Sequence, residues 1–280
     1  MRYTKVCLLL LGLAARAALA EITYTVTAIH KGKPVKPSDI VLERIEPGRH
    51  QLTTAARQPK PKSRGGNARR SNPTVYSTNW CGAVQHSPST NPITSVHGFF
   101  QVPTLSQRAG VTSFPQYVAP WIGIDGATWS TALLQSGTTS SINSAGVQTN
   151  WAWLEWVPDA AYTIPNFPVA TGDWIEVRVS ASSSTSGQIY IYNTDQDYSY
   201  TVTLSNGSPL GRVDADWVIE DPATSSGLVP FAAFTETWFE EVSATRSTGT
   251  ALGVDGATLY YLTDNRCVAT EYDNDNFYAH

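Results

Sequence analysis

The sequence lacks the common motifs of metal-dependent and nucleophilic hydrolases. It has five histidines and three cysteines in 280 residues. It contains no H-E-x-x-H pair, no G-x-S-x-G turn, and neither Asp-Thr-Gly nor Asp-Ser-Gly. These absences argue against zinc hydrolases, serine hydrolases with a nucleophile elbow and hydrolases with paired aspartates of the pepsin type. We therefore expect a protein that needs no metal ion and no cofactor.

Long hydrophobic runs are also missing, apart from one at the N-terminus. Residues 1–20 carry Arg2 and Lys5, then an apolar run over 6–13, and end in Ala-Leu-Ala. This order predicts a secretory signal peptide. The run is far shorter than the ~20 residues that a membrane span requires. We predict a secreted, extracellular protein without a membrane partner.

Positive charge is scarce in most of the chain. Of the 19 Lys and Arg residues, three lie in 1–20, eleven in 21–70 and only five, all Arg, in 71–280. Nineteen of the 23 acidic residues lie in 71–280, so that this part carries −14 and residues 21–70 carry +7. Such an acidic domain is an improbable partner for nucleic acid and suits an acidic medium, in which its carboxylates lose their charge.

Residues 21–70 are predicted to be a basic pro-segment and flexible linker that inhibits the acidic domain. Arg69-Arg70 is a candidate processing site, and the alternative is a basic tail that is never removed. We expect the segment to dock by charge near neutral pH and to leave in acid. Residues 71–280 are long enough for one domain, which we expect to be monomeric.

Cysteine is limited to Cys81 and Cys267 once the signal, which contains Cys7, is removed. In an oxidising compartment these two predict one disulfide, and two free buried thiols are the alternative.

The pattern of the acidic part is typical of strands. Ile175, Val177 and Val179 alternate with polar or bulky neighbours, and no helical period is sustained. We predict an all-β fold, an antiparallel sandwich or barrel. The sequence SNGS at 205–208 predicts a hairpin turn, and Asn206-Gly-Ser is an N-glycosylation acceptor.

Polar groups occur inside three apolar strands. If residues 151–156 are extended, Trp151, Trp153 and Glu155 share one face, and in 214–221 the residues Asp216, Val218 and Glu220 do so. Gln135 ends the apolar run of TALLQ. Taken singly, a strand-end Glu is usually solvated, a strand-end Gln usually bonds backbone in a turn, and tryptophans are more often core.

Together, five segments resemble the eqolisins, a family of glutamic peptidases: NWCGAV (79–84), PWIGIDG (120–126), TALLQSG (131–137), WAWLEWVPD (151–159) and DWVIEDP (216–222). The resemblance implies two large, curved antiparallel sheets in a lectin-like sandwich. It also implies a pepstatin-insensitive acid endopeptidase that cleaves proteins.

The resemblance further implies that Gln135 and Glu220 form the catalytic dyad. Trp80, Trp121, Asp125 and Glu155 match family positions that line the site, and Trp153 shares the face of Glu155. In this hypothesis the Glu220 carboxylate takes a proton from water and returns it to the leaving amine, while Gln135 stabilises the oxyanion and helps to hold the water. We expect a pH optimum below 5.

Two positions depart from the family pattern, and two other functions stay open. Val157 and Pro222 each occupy a position at which members of the family often have an aromatic residue. The first alternative is an acidic β-sandwich glycoside hydrolase with Glu155 and Glu220 as paired carboxylates, which would not need Gln135. A secreted carbohydrate-binding module would explain exposed tryptophans but not the basic segment.

Overall fold

A computed structural model describes residues 21–45, 72–224 and 226–280. The predicted signal peptide with Cys7, and the Arg69-Arg70 processing site, lie outside the described residues. Two large sheets contain most of the strand residues of the described chain, and two further sheets are small ladders of only two short strands each.

We call the ten-stranded sheet the back sheet. Its strands are β1 (Thr23–His30), β2 (Lys33–Pro34), β6 (Ile93–Gln101), β12 (Trp174–Ala181), β13 (Ser186–Asn193), β14 (Tyr198–Ser205), β19 (Thr237–Arg246), β20 (Ala251–Leu252), β22 (Ala269–Glu271) and β23 (Phe277–Ala279).

We call the nine-stranded sheet the front sheet. Its strands are β3 (Glu43–Arg44), β4 (Thr74–Ser77), β5 (Trp80–His86), β8 (Gln116–Asp125), β9 (Leu133–Ile142), β10 (Gln148–Val157), β11 (Tyr162–Thr163), β15 (Asp214–Glu220) and β21 (Thr258–Leu262). The small ladders pair β7 (Leu105–Ser106) with β18 (Ala233–Phe234), and β16 (Ala223–Thr224) with β17 (Gly227–Leu228).

The strand order is β2-β1-β14-β13-β12-β6-β19-β23-β22 in the back sheet and β3-β11-β10-β9-β8-β15-β5-β21-β4 in the front sheet. Neighbours are antiparallel except β4 and β21, which are parallel. The predicted all-β, antiparallel sandwich is therefore confirmed, with this one parallel pair added. The described residues contain one 3-10 turn, Pro37–Asp39, and no helix of the length and hydrophobicity needed to cross a bilayer.

The main core lies between the two sheets and follows the predicted alternation. On β12, Ile175, Val177 and Val179 are fully buried in it, and Trp217 and Ile219 of β15 enter it from the front sheet. Val218 points to the other face of the front sheet, where it joins a second cluster. Because side chains alternate between the two faces of a strand, β15 directs one set of side chains into the main core and the other set to the outer face of the front sheet.

The disulfide between Cys81 and Cys267 is confirmed, with a Cα–Cα distance of 5.9 Å. Both cysteines are fully buried in the main core. The bond links β5 to a loop 186 residues later in the chain.

The predicted hairpin at 205–208 is wrong. β14 ends at Ser205, and residues 206–213 cross from the back sheet to β15 of the front sheet. Asn206 has φ +64° and is exposed, so it remains a predicted glycosylation site. Gly207 lies flat on Trp156, where a Cβ would approach the ring to 2.3 Å. The turn residues therefore begin a crossover and not a hairpin. The next strand, β15, belongs to the front sheet and contributes its hydrophobic face to the core from that side.

Residues 21–45 are structured, although the sequence predicted a pro-segment with a flexible linker. β1 pairs with β14 over eight residues, and β3 pairs with β11. The segment therefore contributes strands to both sheets.

Candidate active site

The face of the front sheet that points away from the back sheet is lined by large side chains, and we call it the aromatic face. Its buried cluster contains Trp80, Val84, Trp121, Leu133, Trp153, Val157, Val218 and Tyr260. The Trp80 and Trp121 rings meet edge to face, with centroids 5.0 Å apart. Trp80, Trp121 and Trp153, which were predicted from the sequence to line the site, therefore lie together in one cluster on this face.

Glu220 is the last residue of β15 and lies on this face, 4% exposed. Asn79 Nδ2 donates to its Oε1 at 2.9 Å, and Trp121 Nε1 donates to its Oε2 at 2.9 Å. Burial raises the pKa of Glu220 to about 7, although the bonds from Trp121, Asn79 and Trp80 act to lower it. A carboxyl in this position is largely protonated in acid.

Gln135 lies on β9 directly opposite Glu155 of β10, and both are almost fully buried. Gln135 Nε2 donates to Glu155 Oε2 at 2.8 Å. Within the described part of the chain, Oε1 of Gln135 has no hydrogen-bond partner. Burial raises the pKa of Glu155 well above its usual range; the bond from Gln135 lowers it, and the charge of Glu220 raises it further.

Gln135 and Glu220 are not neighbours across one strand pair. β8 separates their strands, and the residues level with Gln135 are Gly123 on β8 and Asp216 on β15. Glu220 lies four residues beyond Asp216. The Trp121 indole, on the intervening β8, contacts Glu220, and the charge of Glu220 acts on Glu155, the partner of Gln135. Gln135 and Glu220, the two residues of the predicted dyad, thus share one buried region of the aromatic face.

Asp125, predicted to bind substrate, supports a loop. Its carboxylate accepts the backbone N–H groups of Arg212 and Val213, each at 2.8 Å, and that of Asp214. It is fully buried and has φ +72°. Burial raises its pKa to about 6, against the lowering effect of these bonds. Both oxygens are used to hold the crossover loop that precedes β15.

Asp216 lies on β15, on the strand face that the alternation assigns to Val218 and Glu220. It is fully buried on the aromatic face, and in the described residues neither carboxyl oxygen has a hydrogen-bond partner. Burial raises its pKa well above the usual range, and the charges of Asp214 and Asp125 add to this.

Sequence reasoning missed Asn79 and Arg266. Asn79 stands in the NWCGAV block, but its contact with Glu220 spans 141 residues and could not be inferred from spacing. Arg266 Nη1 forms a salt bridge of 3.0 Å with Oδ2 of Asp221, the residue that follows Glu220 in the chain. The Arg266 guanidinium also lies 5.2 Å from the centre of the Phe231 ring. The arginine precedes Cys267, so the disulfide fixes the chain that carries it.

The two departures from the family pattern are both buried. Val157 belongs to the buried cluster of the aromatic face, and the carbonyl of Pro222 accepts the N–H of Val229. Across residues 21–45, 72–224 and 226–280, no group of three or more His, Cys, Asp or Glu side chains is placed to hold a metal ion.

Comparison with known proteins gives the same family from sequence and from structure. The sequence profile of the peptidase A4 family matches residues 78–278. Aspergillopepsin-2 of Aspergillus niger is 32% identical over 214 residues, covering 70% of this chain and 74% of that protein. Scytalidopepsin B of Scytalidium lignicola is 28% identical over 203 residues, covering 69% and 73%.

Solved structures include scytalido-glutamic peptidase with a peptide-based transition state analogue, at 28% identity and a TM-score of 0.62, covering 72% of this chain and 97% of that chain. Aspergilloglutamic peptidase from Aspergillus niger has 32% identity and a TM-score of 0.55, covering 59% and 98%. This chain therefore belongs to the peptidase A4, or eqolisin, family and is a glutamic peptidase, a hydrolase of peptide bonds.

Proposed function

We propose that the protein is a secreted acid endopeptidase, made as a zymogen, in which Gln135 and Glu220 activate water against the scissile amide. The observation that carries this proposal is the pair of oriented groups on the aromatic face. Glu220 accepts bonds from Asn79 and Trp121, while Gln135 is anchored through Nε2 and keeps Oε1 unpaired in the described chain.

Glu220 begins the attack step protonated. Sequence reasoning used its carboxylate as the base, but burial raises its pKa to about 7, so that the neutral acid predominates below pH 5. The carboxyl gives its proton to the carbonyl oxygen of the substrate, and its other oxygen takes a proton from the attacking water. The water oxygen bonds to the carbonyl carbon. A neutral tetrahedral diol forms, and Glu220 again holds one proton.

The same group completes the cleavage. One hydroxyl of the diol returns its proton to Glu220, and Glu220 protonates the amide nitrogen. The C–N bond then breaks, which leaves a carboxylic acid and an amine. Each step moves one proton onto Glu220 and one proton off it, so the enzyme is regenerated without a metal or a covalent intermediate.

Gln135 orients the reactants. One hydrogen of its Nε2 is used by Glu155, and the second is available to the substrate oxygen on which charge develops. Its unpaired Oε1 can accept a hydrogen bond from the attacking water. A glutamine does not ionise, so both functions persist in strong acid.

The substrate is an extended segment of protein held against the aromatic face. A scytalido-glutamic peptidase has been solved with a peptide-based transition state analogue, and an eqolisin with the tripeptide Ala-Ile-His. The partly buried Trp151, which packs against the buried cluster, offers apolar surface for bulky side chains of such a peptide. Trp80, 6% exposed, and the fully buried Trp121 and Trp153 form the apolar wall behind it. This arrangement favours the peptidase over a glycoside hydrolase or a carbohydrate-binding module, in which Gln135 would have no task.

Secretion and zymogen activation complete the proposal. Residues 1–20 would direct export, and the basic run before Arg70 would restrain the enzyme until it is cut. Among the described residues, the raised pKa values of Glu155, Asp216 and Glu220 favour a folded state that is most stable in acid.

The test is hydrolysis of acid-denatured protein from pH 2 to 7 with pepstatin present. Wild type, Glu220→Gln and Gln135→Ala are all cut at Arg70 beforehand, since an inactive variant would not process itself. We expect wild type to cleave in acid, and kcat to fall by roughly 10³ for Glu220→Gln and 10² for Gln135→Ala.

Two outcomes contradict the proposal. If kcat/KM of wild type increases with pH to a plateau near 7, Glu220 acts as a carboxylate base. If wild type is inert on protein, or if Gln135→Ala cleaves as well as wild type, the dyad is wrong and polysaccharide substrates are tested next.

A further inference from the structure

We propose that the N-terminal segment 21–45 stays bound after the chain is cut before residue 71, so that the active enzyme is a complex of two chains. This inference rests on the proposed zymogen processing. It concerns a part of the chain that lies outside the matched family region, residues 78–278.

The segment is held first by backbone pairing. β1 lies antiparallel to β14 in continuous register from Thr23 opposite Ser205 to His30 opposite Tyr198. The ladder continues beyond the strand, where Lys31 N donates to Asp197 O at 2.9 Å. A ladder of this length resembles a peptide that binds by β-strand addition, in which main-chain hydrogen bonds provide the affinity.

The segment is held second by side chains that join the main core. Ala28 is 4% exposed inside it, and Val26, Val35, Ile40 and Leu42 pack against it. Two aromatic contacts flank the strand, Tyr24 with Tyr162 at 5.4 Å and His30 with Tyr198 at 4.7 Å between ring centroids. Loss of the segment would return this apolar surface to water.

The segment also connects the two sheets. After the 3-10 turn, β3 pairs with β11 of the front sheet, and Ile45 N donates to Ala161 O at 2.7 Å. Asn166 Nδ2 donates to Asp39 O at 2.7 Å. One peptide thus bonds to β14 at one end and to the front sheet at the other, and a cut beyond residue 45 breaks none of these contacts.

Charge contributes little to this docking. Residues 21–45 contain four basic and three acidic residues, whereas 46–70 contain seven basic residues and one acidic residue. No salt bridge joins 21–45 to the rest of the described chain. The expectation that acid releases the whole basic segment therefore does not apply to 21–45. Hydrogen bonds and apolar contacts of this kind respond weakly to salt and to protonation of carboxylates.

The experiment uses the full secreted chain with Glu220→Gln, which prevents self-cleavage, and with a recognition sequence for a site-specific protease in place of residues 58–64. After cutting, the protein is passed through size-exclusion chromatography at pH 4 and pH 7, each in 0.1 and 1 M NaCl. Mass spectrometry then determines which chains are present in the main peak. We expect both chains at a ratio of 1:1 in all four conditions.

A matched pair of substitutions on β1 tests the contact itself. Ala28→Glu places a charge in the core, and we expect it to weaken retention of the short chain at least tenfold. Thr27→Glu adds the same side chain one residue earlier at an exposed position and should leave retention unchanged. The uncut variants, followed by circular dichroism, show that each one folds.

Separation of the short chain from a folded 71–280 chain in any of the four conditions overturns the proposal. Release in 1 M salt or at pH 4 alone would support electrostatic docking instead. Because the cut is made by an added protease in an inactive variant, the result does not depend on whether the enzyme processes itself. A failure of the proposed function would appear separately, as absence of peptidase activity in wild type.

Discussion

Gln135 and Glu155 face each other across β9 and β10, and the Gln135 amide donates to the Glu155 carboxyl at 2.8 Å. A terminal amide can turn by half a rotation and exchange its N–H₂ and C=O ends. In the observed orientation the Glu155 carboxyl accepts from the nitrogen end, and Gln135 Oε1 has no hydrogen-bond partner in the described chain. We infer from this contact that Glu155 positions Gln135. Leu154, the neighbour of Glu155 on the strand, belongs to the main core on the opposite face.

Substitution of Glu155 tests this role. Because its pKa is raised well above the usual range, Glu155 is protonated in acid and Glu155→Gln keeps an acceptor oxygen of nearly the same shape. We expect Glu155→Gln to retain kcat within roughly threefold, whereas Glu155→Leu, which has no acceptor, loses tenfold or more in kcat with little change in KM. A glycoside hydrolase with Glu155 as an ionised carboxylate would instead be inactivated by both variants.

Removal of a donor from Glu220 should shift the pH profile. Asn79→Ala and Trp121→Phe each delete one N–H that lowers the pKa of Glu220, so that this pKa rises further. The limb of kcat/KM that reports Glu220 should move to higher pH by roughly 0.5–1 unit. Asn72→Ala is the control, because Asn72 bonds Val254 and Gly256 away from Glu220. An unchanged limb in Asn79→Ala would show that another group controls the profile.

Stability should decrease as the pH rises above 4, with Asp216 as a main cause. A carboxyl whose pKa is raised by folding contributes stability that is present below its unfolded value of about 3.9 and is lost as the pH rises toward its folded value. The groups that face Asp216 are Asp214, Asp125 and Tyr260, and none of them is a cation. At pH 7 we expect Asp216→Asn to raise Tm by roughly 3–8 °C, with little effect at pH 3.

Asp214→Asn is the matched control for Asp216→Asn, two residues away on the same strand. Burial acts to raise the pKa of Asp214, but bonds from His86, Thr128 and Trp129 outweigh it and the pKa is lowered. Its charge is therefore used, and we expect Asp214→Asn to lower Tm at pH 7. Thermal unfolding followed by circular dichroism from pH 3 to 7 measures both variants. The idea fails if Asp216→Asn destabilises the protein at pH 7.

Loss of the disulfide should destabilise the fold more than it alters the chemistry. The bond closes a sequence separation of 186 residues, and removal of a native disulfide costs roughly 2–5 kcal/mol. The double variant Cys81→Ala, Cys267→Ala should therefore have a Tm lower by roughly 5–15 °C. At 25 °C its KM should be near that of wild type. A variant with wild-type Tm and reduced kcat would instead show that the bond acts through Arg266 and Asp221 on the site.

The alternation within short segments was predictable from sequence because a strand reverses its side chain at every residue. Trp153 with Glu155, and Val218 with Glu220, lie on the faces that the pattern assigned. The two ends of the disulfide were predictable because the third cysteine, Cys7, lies in the predicted signal peptide.

Other features depend on contacts between distant parts of the chain. Strand β9, LLQSGTTSSI, is buried at every position although most of its residues are polar or glycine, because it lies between β8 and β10 in the interior of the front sheet. Asp125 looked like a site residue, yet its partners are backbone groups of a loop 87 residues later. The sequence of β1 contains no pattern from which its pairing with β14 could be predicted. Such relationships are set by strand order, which local periodicity does not encode.

The outermost strand at each side of both sheets is short: β2 and β3 have two residues, β22 has three and β4 has four. An unpaired sheet edge is a template on which a foreign unfolded chain can build cross-β aggregates. In the acidic medium in which we propose that the enzyme works, unfolded chains are abundant, because acid unfolds the proteins that the enzyme degrades. Short edge strands offer these unfolded chains few main-chain groups to pair with. They therefore protect the peptidase from coprecipitating with its own substrates.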